Sequence, residues 1–296
     1  MNKLPNFFII GAPKAGTTAM SEYLKLHPNL FFSDPKEPHF FNDDHTYRHT
    51  HDFDTYLNYF SNVSKNHKCI GEGSVHYLRS KNAVPNILKI NPEAKFIVMV
   101  RNPIDVAYAW HSQQIFNKTE NIYDFKKAWD LQESRTNGKN LPKHVSSVEK
   151  LLYADIGKLA NQIQRLLSIV SKKNIHFILF DDFIKDTPLE YKKVLSFLDL
   201  EAFTPNSFEK INSNKQYKSK FFKEFLEHNI RAIKSFLGIK QSFGLFYKYF
   251  QKWNTLNIKR KPLDSAFSNE LKQFYRSDVE YLSKIFKRDL FKLWKY

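Results

Sequence analysis

Short apolar runs alternate with stretches of helical periodicity along the first two thirds of the chain. The runs over 7–10, 96–100 and 175–180 are almost entirely apolar, which is typical of strands buried on both faces of a sheet. Between them, apolar residues recur every three or four positions, as in helices that cover a sheet. Strands alternating with helices predict an α/β fold of three layers, with a mostly parallel central sheet and helices on both faces.

The same patterns predict where the individual elements lie. Residues 29–52 contain prolines and an Asp/His-rich patch, so a loop is expected there, and a second loop is expected over 136–146. A short strand is expected over 68–72, and helices are expected over 53–60, 80–90 with an interruption at Pro85, 103–117, 125–132, 148–170, 189–198 and 219–296. A single domain over 1–296 is predicted, with a basic segment over 211–262 and a helical C-terminal part over 263–296.

The first predicted strand leads into a glycine-bounded loop, GAPKAGTT, and then into an amphipathic helix. This layout points backbone N–H groups and a helix N-terminus at a bound phosphate, although a simple tight connection has the same pattern. Gly11 and Gly16 have the spacing of the nucleotide-hydrolase loop, but Thr17 stands where that loop has its lysine, and Lys14 lies earlier. The pattern favours a P-loop-like phosphate site without the usual Mg-nucleotide geometry.

This loop and the following segment, LKLHPNLFFSDPKEPHFF, resemble the 5′-phosphosulfate loop of sulfotransferases that use 3′-phosphoadenosine-5′-phosphosulfate (PAPS). A second block, FIVMVRNPIDVAY over 96–108, resembles the strand and helix that bind the 3′-phosphate in that family. The resemblance is strongest to the heparan-sulfate-type and bacterial carbohydrate branch, and it weakens toward about residue 220. It implies sulfuryl transfer from PAPS to a hydroxyl, or less favourably an amine, of a carbohydrate or glycolipid acceptor.

The resemblance implies a donor site in two parts. Lys14 would offset the charge that grows on the leaving oxygen. The phosphosulfate would be held by the backbone N–H groups of Ala15, Gly16, Thr17 and Thr18, together with the threonine hydroxyls. Arg101 would bind the 3′-phosphate from the end of its strand, and an ion pair with Asp105 is the alternative role for this arginine.

The sequence departs from the family pattern at the 3′-phosphate. Ala109 stands where the pattern expects a serine, and Ser112 lies on the same helix face one turn later. We expect weaker recognition of the 3′-phosphate, or compensation by Ser112, Lys215 and Lys218. The two lysines lie in a stretch that resembles the basic loop covering the nucleotide, although a solvated charge run has the same composition.

On the acceptor side, the segment PKEPHFF supplies the expected general base, Glu37, and a competing base, His39. A loop glutamate paired with Lys36 or Arg48 is the alternative for Glu37. The block GEGSVHYL resembles one that lines the acceptor side, which makes its polar residues the predicted substrate-binding set: Glu72, Ser74 and His76.

Composition places the chain among globular proteins of reducing compartments. Its 296 residues are 42% hydrophobic, and its one cysteine, Cys69, excludes an intramolecular disulfide. No apolar run reaches the ~18–20 residues of a membrane span. The apolar N-terminus leads directly into the phosphate loop, so we interpret it as the first strand and not as a secretion signal. We expect a soluble, cytoplasmic protein.

The net charge of +16 predicts an anionic partner. Residues 212–262 contain twelve basic and two acidic residues, and 219–237 carry an apolar stripe among basic positions. This stripe predicts either a helix packed on the core or an interfacial helix that meets anionic lipid at the inner face of the membrane.

Two other classes of function stay open at this stage. A nucleotide kinase or NTPase is disfavoured by the missing loop lysine. A non-enzymatic nucleic-acid-binding protein would explain the charge, but no zinc motif or RNA-binding aromatic pair supports it, so no nucleic-acid partner is expected. The Asp/His-rich patch over 43–51 has no spacing typical of a metal site, and a sulfuryl group carries too little charge to require a Mg²⁺ clamp, so no metal is expected.

Overall fold

A five-stranded parallel sheet lies at the centre of the fold. The computed structural model describes residues 4–143, 145, 147–209, 215–217, 255–257 and 260–296. The strands of the sheet are β1 (Phe7–Gly11), β2 (Leu30–Phe32), β3 (Cys69–Glu72), β4 (Lys95–Val100) and β5 (Ile175–Leu179). They lie in the order β2–β3–β1–β4–β5, and each neighbouring pair is parallel. The predicted mostly parallel α/β sheet is confirmed.

Helices surround this sheet, and thirteen of them are α-helical in the described part of the chain. Their bounds are α1 (Thr17–Leu24), α2 (Phe53–Asn58), α3 (Ala83–Ile90), α4 (Pro103–Phe116), α5 (Phe125–Asp130), α6 (Gln132–Thr136), α7 (Tyr153–Gly157), α8 (Leu159–Ile169), α9 (Phe180–Lys185), α10 (Thr187–Phe197), α11 (Ser265–Phe274), α12 (Arg276–Phe286) and α13 (Leu290–Trp294). Two 3-10 helices cover Val148–Leu151 and Lys172–Asn174. The last three α-helices confirm the helical C-terminal part.

Helix α4 begins where its local sequence predicts. The Asn102 side chain accepts a hydrogen bond from the Ile104 N–H, and Pro103 occupies the first helical turn, where no backbone donor is needed. The helix then packs on α7, while α1 packs on β1, β2 and α10. The phosphate loop and the start of α4 are thereby held at the same edge of the sheet.

Several predicted boundaries are wrong. Strand β2 lies inside the stretch predicted to be a loop over 29–52, and α3 begins at Ala83, so Pro85 stands in its first turn and does not interrupt it. The helix predicted over 148–170 is divided into a 3-10 helix, α7 and α8.

The division after α7 has a packing cause. A Cβ added at Gly157 would lie 2.4 Å from the Tyr275 hydroxyl, which donates to the backbone oxygens of Tyr153 and Ala154. The chain bends at Lys158, so that α7 faces α4 and α8 faces α12. One straight helix would not make both contacts.

The basic segment is described only in part. Strand β6 (Lys215–Tyr217) pairs antiparallel with β7 (Thr255–Asn257), and β6 lies beside α4. A strand at β7 contradicts the prediction that all of 219–296 is helical. The apolar stripe over 219–237 lies outside the described residues, so the choice between a packed and an interfacial helix stays a prediction.

A buried ion pair ties α6 to the chain that follows α4. Both side chains are fully buried, and the Arg135 guanidinium contacts the two Glu120 carboxylate oxygens at 2.7 and 3.0 Å. The Tyr153 hydroxyl donates to the same carboxylate at 2.7 Å. Since every charged group here has partners, the pair fixes the C-terminal end of α4, which forms one wall of the cavity described next.

Candidate active site

A large cavity lies at the carboxyl ends of β1 and β4. After β1 the chain builds one side of the sheet with β2 and β3, and then the other side with β4 and β5. Ligands of open α/β sheets bind at such a reversal of strand order. The cavity has a volume of about 990 Å³, which is at the upper end of the range for small-molecule sites. The phosphate loop, Arg101, the α4 wall and the Glu37 loop all line it.

The phosphate loop presents an open helix terminus to this cavity. Gly16 begins α1 at φ 93°, where only glycine is unstrained, and a Cβ there would meet the rings of Phe183 and Phe180 at 3.1 and 3.2 Å. No side chain caps α1, so the donors of its first turn remain for a ligand. Gly16, Thr17 and Thr18 line the cavity.

Ala15 is not brought to the cavity with its neighbours. Its side chain is fully buried, and its N–H donates to the Ala12 oxygen at 3.3 Å. Of the predicted backbone donors, Ala15 therefore supports the turn itself.

Lys14 is held at both ends by the β4–α4 unit. Its ammonium donates to the Gln113 side-chain oxygen at 3.1 Å, and its backbone oxygen accepts from the Arg101 guanidinium at 3.1 Å. The Gln113 amide nitrogen in turn donates to the Asn117 side chain at 2.9 Å. Sequence reasoning missed Gln113 and Asn117, because only the fold shows which polar residues of α4 face the loop.

Arg101 lies at the end of β4 and makes the ion pair weighed as its alternative role. It contacts Asp105 at 3.1 Å, and its guanidinium stacks over the Phe180 ring at 4.6 Å. Its Nε is buried without a hydrogen-bond partner. The ion pair and the contact with the Lys14 oxygen therefore leave one guanidinium nitrogen, Nε, without a partner.

A second arginine, Arg260, lines the same cavity beside Arg101. Its Nε is also buried without a partner. Burial, and then the charge of Arg101, lower the pKa of Arg260. Two cations with unused donors favour an anion between them. Sequence reasoning missed Arg260, because a KRK run has no signal that separates it from solvated surface charge.

Of the other residues predicted to help Arg101, only one has a described side chain. Ser112 and Ala109 both line the cavity, and the Ser112 hydroxyl donates to the Tyr108 oxygen of its own helix at 3.0 Å. Lys215 lies in β6 beside α4. Lys218 lies outside the described residues.

Glu37 lines the same cavity with a third of its side chain exposed. Its carboxylate contacts Lys36 at 2.7 Å and His39 at 3.2 Å, whereas Arg48 donates to the Phe40 oxygen. The pairing with Lys36 that was weighed as an alternative is therefore present. Burial raises the pKa of Glu37, but Lys36 and His39 outweigh it and hold the pKa at about 2. The carboxylate is ionised at every working pH.

The imidazole of His39 lies in a cluster of aromatic rings on this wall. His76 and His49 lie 5.4 and 5.3 Å from it, and Trp110 lies 4.9 Å from His76. The Nδ1 atoms of His39 and His76 are buried without partners. Burial lowers the pKa of His76 well below its usual value, so this ring is neutral. The wall thus combines flat rings with unused polar atoms.

Glu72 and Ser74 lie behind this wall and do not reach the cavity. Ser74 donates to Glu72 and accepts from the His39 N–H, both at 3.0 Å. Burial raises the pKa of Glu72 to about 8, so its carboxyl is mostly protonated at neutral pH. The structure therefore makes these two residues supports of the His39 loop, and of the predicted substrate-binding set only His76 faces the cavity.

In the part of the chain that the structure describes, no three His, Cys, Asp or Glu side chains are placed to bind a metal ion. The helices described there also include none with the length and apolarity that a membrane crossing needs.

The site can be compared with known proteins. The family profile of the sulfotransferase domain matches residues 4–228. The chain belongs to the sulfotransferase domain family. The resemblance seen in its phosphate loop and its Arg101 block is thereby confirmed at the level of the family, as is the enzyme class.

Relatives of this sulfotransferase domain include much longer proteins. It is 30% identical over 174 residues to bifunctional heparan sulfate N-deacetylase/N-sulfotransferase 3 of Mus musculus, which is 56% of this chain and 19% of that protein. It is 32% identical over 104 residues to membrane-associated sulfotransferase kil1 of Dictyostelium discoideum, which is 34% of this chain and 21% of that protein. The chain thus matches about a fifth of the length of these curated relatives.

A solved structure supports the fold over the whole length. The crystal structure of a sulfotransferase from Alicyclobacillus acidocaldarius superposes with a TM-score of 0.70 at 22% identity, covering 99% of both chains. At this identity the likeness concerns the fold.

Proposed function

We propose that this sulfotransferase domain moves a sulfuryl group from PAPS to a hydroxyl of a carbohydrate acceptor. An amine, or the sugar of a glycolipid, is the less favoured acceptor. The observation that carries the proposal is one cavity lined by the uncapped N-terminus of α1, by two arginines whose Nε atoms are unpaired, and by the Glu37 carboxylate.

The residues of the cavity fit the two anionic ends of PAPS. The free donors of the first turn of α1 and the hydroxyls of Thr17 and Thr18 suit a phosphosulfate. Arg101 and Arg260 suit the 3′-phosphate, since each has a buried Nε without a partner. This second arginine supplies the compensation that Ala109 makes necessary. When bound, PAPS supplies the sulfuryl group and a leaving phosphate oxygen.

Lys14 and Glu37 have separate tasks in the proposed reaction. Lys14 stabilises negative charge as it forms on the leaving oxygen, and Gln113 orients its ammonium. Glu37 takes the proton of the acceptor hydroxyl. With a pKa of about 2 it is a weak base, so it accepts the proton only as the new bond to sulfur forms. Lys36 and His39 hold its two oxygens in the meantime.

The aromatic wall around His39 is consistent with a sugar acceptor. Trp110, Tyr47 and His76 present flat rings to the cavity, next to a few polar groups that can fix an orientation. The name of the mouse relative refers to heparan sulfate, a carbohydrate. A metal ion is not part of the proposed chemistry. A cytoplasmic location and contact of the basic segment with anionic membrane stay predictions.

The donor is tested by thermal shift with PAP (the desulfated product of PAPS), AMP and ATP. PAP is expected to raise the melting temperature more than AMP, because it alone has a 3′-phosphate for Arg101 and Arg260. Equal stabilisation by PAP and AMP would contradict the assignment of PAPS.

The base is tested with Glu37→Gln in an assay of sulfate transfer from labelled PAPS to oligosaccharides. Turnover is expected to fall by about 10²–10⁴-fold, the usual contribution of a general base, while PAP affinity is kept. Turnover equal to that of the wild type would remove Glu37 from the mechanism.

A further inference from the structure

The side-chain amide of Gln114 is buried at the cavity without a single hydrogen-bond partner. Gln114 lies on α4 and lines the cavity, yet it is only 1% exposed, and both its amide nitrogen and its amide oxygen are unpaired. Most buried polar side-chain atoms in proteins have a partner, and an unpaired one is costly. This amide therefore needs an explanation.

Other glutamines of the chain show what a structural role looks like. The amide of Gln113 bonds to Lys14 and Asn117. The amide of Gln162, which is 5% exposed, donates to the Asp155 oxygen at 2.8 Å. Gln114 has no such contact to the protein, and it differs from these two glutamines in that respect.

The position of Gln114 on α4 places it near the acceptor wall. It follows Trp110 by four residues and therefore shares its helix face. Trp110 packs on His76, which packs on His39. Arg101 and Arg260, which we assign to the 3′-phosphate, belong to the far end of the donor. A polar group beside Trp110 is thus placed to meet the acceptor rather than the nucleotide.

We propose that Gln114 recognises a hydroxyl of the acceptor adjacent to the one that is sulfated. A carboxamide offers one donor group and one acceptor oxygen, and a hydroxyl uses both. A carboxylate would use only the donor and an ammonium only the oxygen, so this position selects a neutral hydroxyl. Both amide atoms are buried in the structure, so the proposal includes a rotation of this side chain that turns the amide toward the acceptor. The inference rests on the proposed transfer to a carbohydrate.

The first test measures the melting temperature of two leucine variants without ligand. Gln114→Leu is expected to raise it by about 2–4 °C, because an unpaired amide is removed from the interior. Gln162→Leu is the matched control and is expected to lower it, because the Asp155 oxygen loses its donor. If Gln114→Leu lowers the melting temperature as the control does, the amide has a structural partner and the proposal is wrong. Gln114→Met repeats the test should leucine prevent folding.

The second test uses p-nitrophenyl β-glucoside and its singly deoxygenated analogues as acceptors with PAPS. The analogue without the reacting hydroxyl is not sulfated at that position. Among the other analogues, the wild type is expected to lose about 10-fold in kcat/KM for one, which is the effect of one hydrogen bond. In Gln114→Leu the ratio of kcat/KM between the parent glucoside and this analogue should fall to within about 2-fold. In Gln162→Leu the ratio should stay at its wild-type value.

An unchanged ratio in Gln114→Leu would overturn the proposal. If no glycoside is sulfated although PAP binds, the carbohydrate acceptor is wrong, and the role of Gln114 falls with it. If the wild type does not bind PAP, the assignment of PAPS as the sulfuryl donor is wrong. The two levels of failure are therefore distinguishable.

Discussion

Removal of the Arg260 guanidinium should weaken the binding of PAP but not that of AMP. Arg101 also has partners within the protein, because it forms an ion pair with Asp105 and donates a hydrogen bond to the Lys14 backbone oxygen. The Nε of Arg260 has no partner, so its donors remain for a ligand. A hydrogen bond to a charged group contributes about 1.5–3 kcal/mol, which corresponds to roughly 10- to 100-fold in affinity. Arg260→Ala should therefore raise the Kd of PAP by this factor.

Isothermal titration calorimetry at one ionic strength measures these affinities. The Kd of AMP is expected to stay within about 2-fold in Arg260→Ala, since AMP lacks the 3′-phosphate. Arg101→Ala should weaken both nucleotides, because the Lys14 loop also loses its support. Lys284→Ala, on the exposed face of α12, controls for the lost charge.

Two results would refute this reasoning. If Arg260→Ala binds PAP as the wild type does, Arg260 does not meet the 3′-phosphate. If it loses PAP and AMP equally, the arginine supports the cavity as a whole and does not distinguish the two nucleotides.

Two further predictions concern the buried acids. Folding raises the pKa of Glu72 from 4.5 to about 8, so the folded chain keeps a proton that the unfolded chain releases, and it loses stability as pH rises through this range. Glu72→Gln should therefore be more stable than the wild type in urea unfolding, by a margin that grows from pH 5 to 8. A constant margin would mean that Glu72 keeps its usual pKa. Arg135→Leu leaves the fully buried Glu120 carboxylate without its cationic partner, which should cost about 3–5 kcal/mol in the free energy of unfolding. Lys284→Ala at an exposed pair should cost less than about 1 kcal/mol. An equally small effect at Arg135 would show that water reaches Glu120.

The local sequence predicted the elements whose environment is uniform. The runs in β1 and β4 are apolar at successive positions because both faces of these strands are buried, so they stand out without any knowledge of their neighbours. Asn102 and Pro103 mark the start of α4 by their own backbone chemistry. The division of the helix after Gly157 was missed, because Tyr275, which packs closely on Gly157, lies more than a hundred residues away.

The candidate site shows the same distinction between local and distant causes. Arg101 directly follows β4, and Lys14 and Thr17 lie in the short connection from β1 to α1, so their place at the edge of the sheet depends on nearby residues of the chain. Whether a side chain faces the cavity depends on what covers it from elsewhere. The structure therefore decided that Glu72 is sealed behind the His39 loop and that Arg260 comes to lie beside Arg101.

The sequence by itself determined the central strands β1 and β4, the phosphate loop and the family, because these depend on the order of residues along a short segment. Only the tertiary structure decided which side chains line the cavity and which partners they have. Gln113 and Gln114 are neighbours of the same type, yet one holds Lys14 and the other is buried without a partner. Successive positions of a helix point about 100° apart, so adjacent residues meet different surroundings once the helix is packed. That difference is what assigns them different tasks.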